Sequence, residues 1–156
     1  MRRALASDAA GMVSVLQPIV AAKVYSAMTE EITLESQKAY LEKALPDGMF
    51  FVATDGPTGA IVGLQNIEPS GDAAGEISTF VALDRRGEQI GHALATKTLA
   101  DARERGLREV IASIRASNES AIRFYSSLGF EDRGARSRQA VHGHEEEIAH
   151  LTLRLS

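Results

Sequence analysis

The strongest constraint on this chain is a change of period at residues 76–105. An extended apolar segment, Glu76 to Leu83, runs into the turn Arg85-Arg86-Gly87-Glu88-Gln89-Ile90-Gly91, and a helical pattern follows to about Arg105, where Gly106 suits a left-handed cap. A strand that passes straight into a helix cannot close as a hairpin, so the helix crosses over the sheet. The same switch recurs after the β-branched run Glu109 to Arg115. There Ser117-Asn118-Glu119-Ser120 caps a short helix that Gly129 ends. Upstream, the apolar runs Met49 to Thr54 and Ala60 to Ile67 flank Asp55-Gly56-Pro57-Thr58-Gly59, a hairpin signal.

The remaining segments complete a mixed pattern. Arg2 to Ala6 reads as a first strand, with Ser7 or Asp8 as cap for a helix whose apolar face holds Met12, Val15, Leu16, Ile19 and Val20. A second helix is predicted from Thr33 to Leu45, stopped by Pro46-Asp47-Gly48, with a loop between the two helices. Phe130 onward and Glu147 to Leu155 give two more strands; in the last, the apolar alternation slips once at Ala149-His150. The order β-α-α-β-β-β-α-β-α-β-β predicts an α/β (α+β) fold, its sheet part antiparallel and part crossed over by helices.

Length and composition bound the rest. With 156 residues, one hydrophobic core is expected, so residues 1–156 are read as a single domain. No apolar run approaches the roughly 20 residues of a membrane span, and the N-terminus lacks the pattern of a secretory signal. Cysteine is absent, which removes disulfides, thiolate metal sites and cysteine nucleophiles and points to the cytoplasm. A net charge of -4 argues against nucleic acid, whose binding relies on neutralising phosphates. A small-molecule, cofactor or cationic partner is expected, and no membrane.

The turn at Arg85 can be a phosphate cradle, because a helix start leaves about four N–H groups unpaired and carries partial positive charge. It can equally be a plain strand-to-helix turn. A P-loop is excluded, since Lys97-Thr98 follows Thr96 rather than glycine, and a dinucleotide fingerprint lacks its third glycine. The segment Asn118 to Phe130, "NESAIRFYSSLGF", adds a cap and a helix face of Ala121, Phe124, Tyr125 and Leu128. Together, Arg86, Gln89 and Gly91, then Asn118, Tyr125 and Leu128-Gly129-Phe130, closely resemble the two motifs of the GNAT superfamily of N-acetyltransferases. The element order matches that family over essentially the full length. Gln89 departs from its motif, which carries glycine there.

The resemblance implies a mixed sheet of about seven strands with about four helices, splayed between strands 4 and 5, and a cleft for acetyl-CoA at the splay. It implies that the backbone at Thr79, Phe80 and Val81 pairs with the pantetheine arm. Arg86 and the N–H groups of Gly87, Glu88, Gln89, Ile90, Gly91 and His92 would hold the pyrophosphate, the glycines for want of a Cβ atom. The cradle tolerates Gln89 if its dihedrals are helical. Asn118 would contact the cofactor arm, Tyr125 would lie near the sulfur as general acid, and a backbone N–H near Val81 would serve the oxyanion. Arg85 and Arg123 are read as solvated arginines rather than phosphate ligands.

Amine acetylation also needs a proton acceptor, because an alkyl amine with a pKa of about 10 is mostly protonated at neutral pH. Glu76 is the candidate, with a solvated strand end as its alternative. Ser113 stands where relatives that acetylate protein N-termini carry glutamate, and it is left to position a water. His142 and His144, on one face of a final hairpin, lack a defined third ligand, so no metal is expected. The acidic run at Glu145 to Glu147, with Glu30-Glu31, borders the acceptor side in the family and would attract a cationic amine. The expected function is acetyl transfer to a small primary amine or amino-acid-like acceptor. The alternatives are a protein lysine or N-terminal acetyltransferase and an acyl-CoA-binding sensor. The resemblance leaves assembly open and includes a homodimer through the final strands.

Overall fold

A computed structural model describes residues 1–23, 32–46 and 48–156. Its strands are β1 (Arg2–Arg3), β2 (Met49–Thr54), β3 (Ile61–Pro69), β4 (Ala74–Val81), β5 (Glu109–Arg115), β6 (Glu131–Val141) and β7 (His144–Arg154). Its helices are α1 (Ala9–Ala22), α2 (Leu34–Ala44), α3 (Ile90–Glu104) and α4 (Glu119–Ser127). All seven strands share one sheet in the order β1-β2-β3-β4-β5-β7-β6. Neighbours run antiparallel except β4 and β5, the pair joined through α3. No helix among the described residues is long and apolar enough to cross a membrane. The predicted interhelical loop, with Glu30 and Glu31, and Asp47 of the turn after α2 lie outside the described residues.

The continuous apolar run of β2 follows from burial on both faces. Phe50 and Val52 pack with Leu64 of β3 under α1 and α2, where Met12, Leu16, Ile19 and Leu41 are buried. Met49 packs on the opposite side with Ala95, Leu99 and Ala102 of α3, and Phe51 and Ala53 join Leu94 there. Helix α2 begins on a reciprocal cap in which Ser36 N–H donates to Thr33 Oγ1 at 3.0 Å and Thr33 N–H to Ser36 Oγ at 3.0 Å.

Two expectations change. The first strand stops at Arg3, and neither Ser7 nor Asp8 caps α1. A 3-10 turn at Ala6–Asp8 intervenes, and the Asp8 carboxylate turns back to accept from Leu5 N–H at 2.7 Å and from Arg2 at 2.8 Å. In β7 the alternation does not slip. Ala149, Leu151 and Leu153 lie opposite Ile114, Ala112 and Val110 on the α3–α4 side. Ile148 sits opposite Arg115 on the other face, buried at the edge of a cavity described below.

Candidate active site

Strand β4 pairs with β3 along its whole length, from Gly63↔Val81 to Pro69↔Gly75. It meets β5 only at Ala74↔Glu109, Gly75↔Val110 and Glu76↔Ile111. Beyond Glu76 the two strands part. Ala82 N–H donates to Val62 O at 2.9 Å, and antiparallel alternation therefore turns the N–H groups of Thr79 and Val81 away from β3, toward the gap. Tyr125, from the helix that follows β5, reaches across that gap and donates its hydroxyl to Thr79 Oγ1 at 2.8 Å.

A 3-10 turn at Leu83–Arg85 carries the chain from β4 to the start of α3. Gly87 has φ +84° with nothing within 4 Å of where a Cβ would stand, so glycine supplies both the backbone conformation and an open approach. The right-handed helical dihedrals set as the condition for the cradle to tolerate Gln89 are not found. Gln89 lies in the left-handed region at φ 62°, ψ 20°, at the position preceding the first helical residue. A residue reversing the chain into α3 adopts the conformation that glycine meets without strain, and glutamine adopts it here at a cost. Gly91 has a packing reason beside the expected one. A Cβ there would stand 2.8 Å from Phe124 Cε1, so this glycine lets α4 approach the first turn of α3. His92 completes the contact, with its ring edge-on to Phe124 at 5.1 Å and Nε2 2.8 Å from Ser127 Oγ.

These residues enclose a cleft of about 370 Å³. Thr79 to Val81 and Arg86 to His92 line it, Glu88 excepted, together with Asn118 and Tyr125. The Glu88 carboxylate instead receives Arg85 at 2.8 Å, and this guanidinium, which also reaches Asp55 at 3.5 Å, holds Glu88 below its ordinary pKa. Arg123 stands 4.0 Å from Glu119 on an exposed helix face. Asn118 Oδ1 accepts from Ala121 N–H at 3.2 Å and from Ser120 at 3.0 Å, so the side chain caps α4 at the cleft wall. Burial pushes the Tyr125 phenol up to about 12, against the opposing effect of its hydrogen bonding with the Thr79 side chain and backbone.

A second cavity, about 730 Å³, adjoins the cleft and shares Thr79, Phe80, Asn118, Ala121 and Tyr125 with it. Glu76 is exposed in its wall, opposite Glu68 of β3. Tyr40 of α2 donates to Glu68 and accepts from Asn66 Nδ2 at 2.8 Å, and burial lifts its pKa well above the ordinary value. Among the described residues no arginine or lysine pairs with Glu68 or Glu76. On β5, Ser113 Oγ lies 2.8 Å from His150 Nδ1, whose Nε2 is 2.7 Å from Ser137 Oγ. The sequence reading missed Tyr40, Asn66, Glu68 and His150. Glu68 could have been found from the hairpin, since pairing β3 with β4 puts it beside Glu76, whereas Tyr40 arrives through helix packing that no local pattern specifies.

The C-terminal hairpin contributes differently from expectation. His142 (φ 49°) and Gly143 (φ 82°) form the turn itself, so His142 and His144 do not share a strand face. Glu145, Glu146 and Glu147 are each taken by an arginine: Arg138 at 3.6 Å, Arg115 at 2.9 Å and Arg136 at 3.5 Å. The run's charge is largely neutralised. Among the described residues, the carboxylates facing the second cavity without such partners are Glu68 and Glu76.

A parallel pair splayed at mid-sheet, with the start of a helix beside the opening, leaves a cleft between two strands. Residues 21–130 match the model of the Acetyltransferase (GNAT) family, and the chain belongs to that family. An N-acetyltransferase of Methanocaldococcus jannaschii, described as uncharacterized, is 36% identical over 60% of this chain and 43% of its own length. The chain thus spans less than half of that relative. The crystal structure of a ribosomal-protein-alanine N-acetyltransferase from Brucella melitensis superposes with a TM-score of 0.89 at 26% identity, covering 99% of this chain and 98% of that one. A phosphinothricin acetyltransferase from Sinorhizobium meliloti, solved in complex with AcCoA, has the same fold, with TM-score 0.88, 22% identity and coverage of 99% and 86%.

Proposed function

We propose that the protein, acting as one catalytic domain, transfers the acetyl group of acetyl-CoA to a primary amine held beside it, and that the acceptor is a small amine or amino-acid-like molecule. The observation that carries this reading is the meeting of two cavities at Thr79 and Tyr125. One has a helix N-terminus, an open glycine at Gly87 and a strand edge with outward N–H groups, which suits a pyrophosphate joined to an amide-bearing arm. The other presents carboxylates, which suit a cation.

Each residue then has a task. The N–H groups from Gly87 to His92, with Arg86, hold the pyrophosphate, and Thr79 to Val81 pair with the arm while Asn118 shapes its passage. Val81 N–H faces the oxygen that gains charge. Tyr125, which keeps its proton up to about 12, donates to the sulfur as the carbon–sulfur bond breaks, and the proton that nitrogen sheds after attack restores the phenol; the ammonium's first proton leaves through Glu76 to solvent. Glu68 and Glu76 draw in the ammonium form, and Glu76 accepts its proton directly or through water. Holding both reactants together supplies much of the acceleration without a covalent enzyme intermediate.

The test is release of CoA thiol across a panel of small amines, amino acids and alanine-ended peptides. Tyr125→Phe is expected to lower kcat roughly a hundredfold with the KM for acetyl-CoA little changed, and no alkaline limb of the wild-type profile below about pH 11 should vanish with it. Unchanged turnover would remove the acid role. Faster turnover of the peptides than of any small amine would move the acceptor to the class named for the Brucella protein. Thermal stabilisation by acetyl-CoA without thiol release from any acceptor would leave a sensor.

A further inference from the structure

Thr79 Oγ1 sits at the centre of a part-buried chain that the reaction scheme above leaves unused. It accepts from Tyr125 O–H at 2.8 Å and from Gln65 Nε2 at 2.9 Å. Gln65 stands opposite Thr79 in the β3–β4 ladder and is 0% exposed, yet its Oε1 is buried without a hydrogen-bond partner among the described residues. Turning the amide over would leave an N–H unpaired in the oxygen's place and make Gln65 an acceptor of the Thr79 proton; the orientation in the structure, with Nε2 on Thr79, is the one that leaves that proton free. A leucine or methionine would fill the same space without an unpaired polar atom. Among the described residues, the hydrogen bond of the Gln65 side chain goes to the Thr79 hydroxyl, which it fixes in place.

A hydroxyl has two acceptor sites and one donor. With both acceptor sites filled by Tyr125 and Gln65, the Thr79 proton remains free to donate. As long as Tyr125 points its own proton at Thr79, it cannot offer that proton to a sulfur in the adjoining cleft. Once the phenol turns, its oxygen becomes an acceptor facing the Thr79 O–H. Gln65, whose N–H can only donate, keeps the hydroxyl in place through the exchange.

We propose that Thr79 is a positioning residue: anchored by Gln65, its hydroxyl reverses from acceptor to donor toward Tyr125 and thereby directs the phenol proton at the departing sulfur. Both O–H bonds stay intact in the reversal; only their directions change. The inference rests on the acid role proposed for Tyr125 and concerns the Thr79 side chain, separately from the backbone N–H it turns to the cleft.

Steady-state kinetics on wild type, Thr79→Val, Thr79→Ala, Thr79→Ser, Tyr125→Phe and Thr79→Val/Tyr125→Phe test it. Loss of the hydroxyl in T79V or T79A should lower kcat about tenfold while the KM for acetyl-CoA stays within about twofold, and T79S should recover most of the rate. T79A guards against misfolding of the bulkier variant, with melting temperatures recorded for all. In the Y125F background T79V should have no further effect on kcat, because the hydroxyl acts only through the phenol. An undiminished tenfold loss in that background, or a loss confined to KM, overturns the proposal. If Y125F itself turns over at the wild-type rate, the acid role fails and takes this inference with it. A slow Y125F beside a fully active T79V refutes the inference alone.

Discussion

Gln89 shows at single-residue resolution how a local conformation outweighs composition. Its φ of 62° is forced by the reversal from the Leu83–Arg85 turn into α3, and an L-residue with a Cβ pays about 1 kcal/mol or more for it. Gln89→Gly is therefore expected to stabilise the fold by about 0.5–1 kcal/mol in urea denaturation, after allowing for the greater freedom of glycine in the unfolded chain. The KM for acetyl-CoA should stay within about twofold, since the cradle uses the backbone N–H that either residue supplies. A severe loss of affinity would show that the glutamine side chain itself touches the ligand. The motif that contains Gln89 was legible in the sequence, and so was the unusual residue within it. Its handedness was not, because φ there depends on the angle at which the strand feeds the helix.

Between elements, the fit of α3 against α4 is set by Gly91 and Phe124. A methyl group at residue 91 would overlap the Phe124 ring, and an aromatic ring wedged between His92 and Tyr125 has little room to move. Gly91→Ala should cost about 1–3 kcal/mol by overpacking and weaken acetyl-CoA binding, because a displaced α4 carries Tyr125 and Asn118 with it. Combining it with Phe124→Leu, which clears the space, should restore part of both losses in melting and in isothermal titration. A double variant no better than Gly91→Ala alone would mean that residue 91 matters through the ligand instead. Element order, the β2–β3 hairpin, β5 and the helix cap at Asn118 could be read from period and turn chemistry, which are local. The pairing of glycine 91 with a ring 33 residues later could not, since Gly91 in the sequence looks the same whether its open side faces a phosphate or a phenylalanine. The same holds for Tyr40, whose hydroxyl meets Glu68 only once α2 lies on the sheet.

At the scale of the whole molecule the sheet is two halves joined at a short parallel seam. β1 to β4 carry α1 and α2 on one face, β5 to β7 form the other half, and three register pairs from Ala74 to Glu76 hold them together on the β4–β5 side. Past Glu76 the amides of Thr79 and Val81 face a gap, and those at the start of α3 face the cleft. Without a ligand the β4 amides past Glu76 have no neighbouring strand to pair with, although Thr79 N–H meets the Tyr125 phenol, so hydrogen exchange along this edge should be fast for residues in the middle of a sheet. An elongated ligand lying along β4 would act as the missing strand, and one bound at about a hundred times its Kd stabilises the fold by about 2.7 kcal/mol. Hydrogen exchange with and without CoA should therefore show new protection concentrated at residues 77–81 and 87–92, with the β6–β7 hairpin, 131–154, little changed beyond the global shift. Desulfo-CoA, which keeps the pyrophosphate and arm but lacks the thiol, should give the same pattern, because the protection comes from backbone pairing rather than from Tyr125. Protection confined to 87–92 would place the pyrophosphate correctly but remove the added-strand role of Thr79 and Val81. Protection at the hairpin instead of the seam would mean that the ligand lies on a different part of the sheet.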